Sequence, residues 1–345
     1  MDALLQPSAT AWVSRRAETR VTHRLTAMRY IDVDGLRVSR IGLGTWQFGS
    51  REWGYGEQYA REIAPALLRR ALELGITMID TAEAYGPARS ERIIGAELGD
   101  LLDGQRDGLT VATKLMPIAP AEPVVAWQCA GSRRRLQVDR LDLYYVHWVN
   151  PFVSPRRVGQ AVRPLLEAGH VRQFAVSNHS VAQWQAFERG LGAKAIANQV
   201  QFSLVSPDPA DDLVPYAEET GRCIVAWSPM GKGLLAGRDP ASLPPVRRSM
   251  DGRVKGAHTS NALMELQAAL AEIATSNDAT SAQVALAWVI SHPNTVAIPG
   301  ARVVSQLEQN AAAADLVLAD DELARLTELA RPFRRTPVAD GGSPR

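Results

Sequence analysis

Cysteine is scarce in this sequence. Only Cys129 and Cys223 occur in 345 residues, far apart and in no C-x-x-C spacing, which excludes a disulfide framework and a thiolate metal centre. That scarcity suits a reducing compartment, and the cytoplasm is the expected location. The six histidines show no H-x-x-x-H spacing and no partnering cysteines, so no metal site is expected. Long apolar runs are missing too. Stretches such as Cys223 to Trp227 are strand-sized, well short of the roughly 20 residues that cross a bilayer. An excess of one charge is also absent, since 38 basic residues face 37 acidic ones. Neither nucleic acid nor an anionic membrane is therefore an expected partner. Ser14-Arg15-Arg16 could open a twin-arginine signal, but polar residues follow it and no apolar segment does. A dinucleotide fingerprint is lacking as well: Gly42-Leu43-Gly44 has no third glycine at the right spacing, and Gly231-Lys232-Gly233 falls far from any first strand-to-helix turn.

What is present is the composition of a globular chain with a full core, 46% hydrophobic and 22% charged. Short aliphatic runs alternate with helix-length amphipathic stretches, the pattern of repeated βα units on a parallel sheet. Eight such runs occur: Ile41 to Leu43, Thr77 to Asp80, Leu109 to Thr113, Leu141 to Val146, Gln173 to Val176, Ile196 to Gln199, Cys223 to Trp227 and Thr295 to Ile298. Helices are expected at 60–74, 89–99, 122–136, 155–168, 181–190, 210–220, 262–291 and 304–313. Eight units predict a closed α/β (β/α)8 TIM barrel in a single domain over 28–332. Tyr30 to Val38 reads as a hairpin turning at Asp34-Gly35 and plugging the barrel bottom. Residues 319–331 read as an extra C-terminal helix. Residues 1–27 read as a poorly ordered extension and 333–345 as a tail. The stretch from Ser228 to about Asn261 has the length of a functional lid.

In such a barrel the C-terminal strand ends converge on one face, where polarity implies chemistry. Those positions hold Asp80, Lys114, His147, Ser177, Asn178, Gln199, Trp227 and, just past the eighth strand, Arg302. Singly, Asp80 reads equally well as a helix cap, Lys114 as solvated surface and His147 as a structural histidine. Jointly, three ionisable groups on adjacent strand ends point to a site. Tyr85, on the loop leaving the Asp80 strand, supplies a phenol whose ordinary pKa is near 10. A neighbouring Lys114 cation, itself held by Asp80, is expected to lower it, making a proton relay. His147 would hydrogen-bond a carbonyl oxygen and stabilise a developing alkoxide. No side chain supplies a hydride, so a cofactor is required. Ser177, Asn178 and Gln199 suit a carboxamide, and Trp227 offers a flat face to a nicotinamide ring.

The ordered set Arg40-Ile41-Gly42-Leu43-Gly44-Thr45-Trp46, Ile79-Asp80-Thr81-Ala82-Glu83-Ala84-Tyr85-Gly86, Ala112-Thr113-Lys114, Asp142 to Trp148, Val176-Ser177-Asn178, Asn198-Gln199-Val200, Ala226-Trp227-Ser228-Pro229 and Ile298 to Arg302 resembles the aldo-keto reductase superfamily. The resemblance spans about residues 28 to 330. It implies NADPH-dependent reduction of a small-molecule carbonyl, with Tyr85 as general acid, Asp80 and Lys114 tuning it and His147 orienting substrate. It further implies a cofactor site built from Thr45, Trp46, Asp80, Ser177, Asn178, Gln199, Trp227, Ser228, Gly231, Gly233 and Leu234. Arg302 would take the adenosine 2′-phosphate, with Gln306 and Asn310 towards the adenine.

Two other functions fit the same residues: a Schiff-base aldolase using Lys114, and an NADPH-binding regulatory or redox-sensor protein with slow turnover. Trp46, Trp53, Tyr55 and Trp148 read as an aromatic-lined mouth. The short Pro117 to Val125 segment either widens that mouth or trims a surface loop. Met28-Arg29-Tyr30 reads as a natural start for the folded unit.

Overall fold

The computed structural model describes residues 28–49, 59–101, 108–237 and 261–334. Its strands are β1 (Tyr30–Val33), β2 (Leu36–Ser39), β3 (Leu43–Gly44), β4 (Met78–Asp80), β5 (Thr110–Leu115), β6 (Leu141–Val146), β7 (Val171–Ser177), β8 (Ala195–Gln201), β9 (Cys223–Trp227) and β10 (Thr295–Ala297). Strands β3 to β10 form one sheet in chain order, every paired neighbour parallel. Helices follow them: α1 (Trp46–Gly49), α2 (Ala64–Glu73), α3 (Arg89–Leu101), α4 (Glu122–Leu136), α5 (Pro155–Glu167), α6 (Val181–Leu191), α7 (Leu213–Glu219), α8 (Asn261–Ser276), α9 (Ser281–Ser291), α10 (Val304–Ala312) and α11 (Asp320–Ala330). This is the (β/α)8 barrel, with α11 as the extra C-terminal helix. No described helix is long and apolar enough to cross a membrane.

The first and last sheet strands meet at a seam. Gly42 N donates to Ala297 O at 2.8 Å, Ala297 N to Arg40 O at 2.9 Å and Gly44 N to Pro299 O at 3.1 Å. Glycine permits this approach, because a Cβ on Gly44 would lie 2.7 Å from Ile298 O. The expected strand Ile41 to Leu43 is therefore shifted: Ile41 makes a single bridge to Ala297 and the regular strand is Leu43–Gly44.

The hairpin β1–β2 turns at Asp34 (φ 44°) and Gly35 (φ 80°), the two left-handed positions of a two-residue hairpin turn. Its Val33, Leu36 and Val38 join the barrel-interior cluster with Met78, Ala112, Leu143, Tyr145 and Val225. Arg172 and Gln173, at the start of β7, donate to Gly35 O and Asp34 O at 2.7 and 3.1 Å. The hairpin thus closes the end where strands begin. A second, larger cluster fills the layer between sheet and helices, including Leu67, Leu68 and Ala71 of α2 and Leu326 of α11.

Two helix boundaries differ from the sequence reading. The expected helix 60–74 begins with a wider π-type turn, Tyr59–Ile63, and becomes α-helical from Ala64, next to Pro65. The expected single helix 262–291 is two, because Asp278 adopts a left-handed φ of 48° and a new helix starts at Ser281. Thr280 Oγ1 accepts from Gln283 N at 3.3 Å and Gln283 Oε1 from Thr280 N at 2.8 Å, a reciprocal cap. That Thr-x-x-Gln spacing was visible in the sequence and outranks the continuous apolar pattern.

Candidate active site

Parallel register brings the strand ends together: Asp80 ends β4 opposite Ala112, and Lys114 of β5 lies opposite Tyr145 of β6, two residues before His147. Lys114 is fully buried and Asp80 is 2% exposed. All the Lys114 ammonium hydrogens are used. Nζ donates to Asp80 Oδ1 at 2.6 Å, Thr81 O at 2.7 Å and Tyr85 Oη at 3.2 Å. Gln199 Nε2 donates to the other Asp80 oxygen at 2.7 Å. The Tyr85 and His147 rings meet edge-on with centroids 5.9 Å apart. Four residues expected around one oxygen are therefore neighbours.

Tyr85 sits on a loop, and the barrel alone does not fix it. Contacts the sequence reading missed do so. Gly86 has a left-handed φ of 58°, and its backbone lies directly against Gly49 at the end of α1. Behind the loop, Thr81 Oγ1, Ser90 Oγ and Thr45 Oγ1 form a buried hydroxyl chain, each link 2.8 Å, and Thr45 Oγ1 donates to Asp80 O at 2.8 Å. Glu83 and Glu91 anchor it further. Only Gly86, beside the tyrosine, carried a sequence signal for this.

Electrostatics follow from burial. The Lys114 ammonium is pulled down by burial, but Asp80 and Tyr85 more than offset this and hold it above its ordinary value. Burial pushes the Asp80 carboxyl up against Lys114 and Gln199. The two directions pull oppositely on one contact; with 2.6 Å separation and every ammonium hydrogen bonded, the ionised pair prevails at neutral pH. Burial, with help from Asp80, also pushes the Tyr85 phenol up, outweighing the Lys114 cation. The expected lowering is thus present but not dominant. Burial and the Lys114 charge drop His147 to about 3, so its imidazole is neutral. Its Nδ1 is buried without a partner among the described residues.

The residues expected to hold a cofactor divide by what they offer. Ser177 Oγ donates to Gln199 O at 2.8 Å and accepts from Asn178 Nδ2 at 3.0 Å, while Trp227 Nε1 donates to Asn178 Oδ1 at 3.2 Å. These four are one cluster beside Asp80. Asn178 and Ser228 are held at left-handed φ values of 59° and 51°. Gly231, Lys232 and Gly233 follow with φ of 56°, 59° and 101°, and the Gly231 and Gly233 amides donate to Ser228 O at 2.9 Å and Met230 O at 3.0 Å. Leu234 is fully buried. Thr45 is buried and committed inside the protein: its hydroxyl and its backbone N–H donate to Asp80 O at 2.8 and 3.0 Å, and its carbonyl accepts from Phe48 N at 2.9 Å and Ser90 Oγ at 3.1 Å. Trp46, opening α1, is half-buried. Arg302 is exposed and has no carboxylate partner among the described residues. Gln306 Oε1 accepts from Arg302 N at 2.9 Å, and the buried Asn310 Nδ2 reaches Gly300 O at 3.5 Å. Trp53, Tyr55 and most of the expected lid lie outside the described residues. A cavity of about 560 Å³ lies at the opposite end, against the hairpin and strand starts, lined by Arg37, Arg140 and Arg172, and plays no part in this cluster. No group of metal-ligating side chains occurs among the described residues.

The model of the Aldo/keto reductase family matches residues 40–331. An uncharacterized oxidoreductase of Mycobacterium tuberculosis is 46% identical over 315 residues, covering 91% of this chain and 96% of that protein. A methylglyoxal reductase of Escherichia coli is 32% identical over 287 residues, covering 83% and 89%. An aldo/keto reductase of Klebsiella pneumoniae, solved in complex with NADP and acetate, superposes with a TM-score of 0.70 at 30% identity, covering 88% of this chain and 96% of that one. Barrel, converging strand ends and matched sequence agree, and the chain belongs to the aldo/keto reductase family.

Proposed function

We propose that this protein reduces an aldehyde or ketone to the alcohol with NADPH, Tyr85 giving the proton. The observation that carries this reading is the buried chain from Tyr85 Oη through Lys114 Nζ to Asp80, 3.2 and 2.6 Å, beside a neutral His147. NADPH, when bound, supplies the hydride. The residues fit it: Ser177, Asn178, Gln199 and Trp227 would hold the nicotinamide end, and Arg302 the 2′-phosphate, which favours NADPH over NADH.

With Nδ1 buried, His147 Nε2 is the nitrogen left to donate to the carbonyl oxygen and orient it. A phenol held above its ordinary value is fully protonated at neutral pH, as a donor must be. As the carbonyl carbon gains the hydride its oxygen becomes an alkoxide, a far stronger base than a phenolate. Proton transfer from Tyr85 Oη is then downhill, and the Lys114 ammonium stabilises the phenolate until solvent reprotonates it.

A Schiff base on Lys114 needs a free neutral amine, whereas Nζ here is an ammonium donating three hydrogen bonds. The test is NADPH absorbance with a panel of aldehydes, ketones and quinones, methylglyoxal included. Turnover is expected, with Tyr85→Phe losing roughly 10²- to 10⁴-fold in kcat while still binding NADPH. Slow turnover of every substrate with tight NADPH binding would instead favour a sensor; an unimpaired Tyr85→Phe would refute the acid.

A further inference from the structure

The ladder joining β4 to β5 weakens where the reacting residues begin. Thr81 N donates to Ala112 O at 2.8 Å, but the next rung, Glu83 N to Lys114 O, is stretched to 3.5 Å. A side chain takes over at the following step. Glu83 Oε1 accepts from Met116 N at 2.6 Å and from Gln128 Nε2, on α4, at 2.9 Å. Gln128 Nε2 also donates to Met116 O at 2.9 Å, so the latch closes on itself. Arg135 lies 3.8 Å from Glu83 and 2.6 Å from the fully buried Glu91, which also accepts from Thr113 Oγ1 at 2.7 Å.

The geometry is that of a spacer. Glu83 stands two residues before Tyr85, and Met116 stands two residues after Lys114. Fixing one pair by a short hydrogen bond fixes the separation of the other. Glu83 is 8% exposed, and burial and the nearby Glu91 both push its carboxyl up. A carboxylate buried at such cost is a poor choice for stability alone. We propose that Glu83 is a positioning residue that sets the distance from Tyr85 Oη to Lys114 Nζ by accepting from the Met116 amide. This rests on the reading of Tyr85 as the acid.

Glu83→Ala and Glu83→Gln in the full chain test it, with wild type and Tyr85→Phe alongside. Alanine removes the acceptor, and displacement of the phenol by about 1 Å should lower kcat roughly 10- to 100-fold, with NADPH affinity held within about twofold. Without the Lys114 contact the phenol loses its stabilising cation, so the high-pH limb of kcat for carbonyl reduction should move to higher pH. Glutamine keeps an acceptor for Met116 N and should restore most of kcat and the limb. Should the alanine variant not fold, Gln128→Met, which removes the support of Glu83 and of Met116 O but keeps the Met116 N to Glu83 bond, should give a smaller loss and a smaller movement of the limb in the same direction. Wild-type kcat in Glu83→Ala, a loss with the limb unmoved, or a glutamine variant as impaired as alanine would each overturn the proposal. If wild type turns over no carbonyl, or Tyr85→Phe is unimpaired, the parent reading fails instead.

Discussion

Replacing Gly49 by alanine is the most discriminating single-atom perturbation of this site. Gly49 ends α1, and the three heavy atoms nearest its missing Cβ all belong to the Tyr85–Gly86 backbone. A Cβ there would stand 2.8 Å from Gly86 N and nearer still to the Tyr85 carbonyl. Non-bonded carbon contacts settle at about 3.5 to 4.0 Å, so one strand of backbone must retreat by about 1 Å. Neither side yields cheaply: Gly49 is buried against the barrel, and the Tyr85 loop is held by Glu83 and the Thr81–Ser90–Thr45 hydroxyls. Overpacking of this kind costs about 1 to 3 kcal/mol of stability. A reacting group moved by about 1 Å costs on the order of 10²-fold in rate. We expect Gly49→Ala to fold, to bind NADPH by fluorescence titration as wild type does, and to lose about 100-fold in kcat. Wild-type kcat in a folded Gly49→Ala would refute the claim that this contact sets the tyrosine.

Asp80→Asn leaves Lys114 buried without its counter-charge and should cost about 3 to 5 kcal/mol in urea unfolding near pH 7. Burial would then hold the Lys114 pKa below its unfolded value, so this deficit should shrink towards pH 10; an equal deficit at both pH values would contradict it. His147 at about 3 and His179 at about 4, both lowered chiefly by burial, contribute stability that is present above the unfolded value near 6.5. It is lost as pH falls towards those values, so urea midpoints should drop between about pH 7 and 5, while kcat stays flat there. A kcat limb near 6.5 would show that His147 titrates. Arg302→Ala should weaken NADPH binding roughly 10- to 100-fold and NADH little; equal losses would remove the 2′-phosphate assignment. A chain starting at Met28 should keep its melting temperature and its turnover, and loss of either would place residues 1–27 in the working protein.

Several features were legible in the sequence because they depend on local pattern. Strand β9, helix α4 and the hairpin turn fell where an apolar run, an amphipathic stretch over 122–136 and Asp34-Gly35 placed them. Asp80, Lys114 and His147 followed, since a parallel barrel sends every strand's C-terminal end to one face. The break before Ser281 was missed because a continuous apolar pattern masked a short cap.

What the sequence by itself determined was therefore the barrel, its direction and the identity of the ionisable groups on its mouth. The tertiary structure decided the rest, because distance and burial are properties of residues remote in the chain. It seated the Gly49 and Gly86 backbones together, committed the Thr45 hydroxyl internally and latched Glu83 to Met116. It also reversed the expected balance on Tyr85, since removal from water outweighs the neighbouring lysine, and no linear pattern records how completely a loop side chain is enclosed.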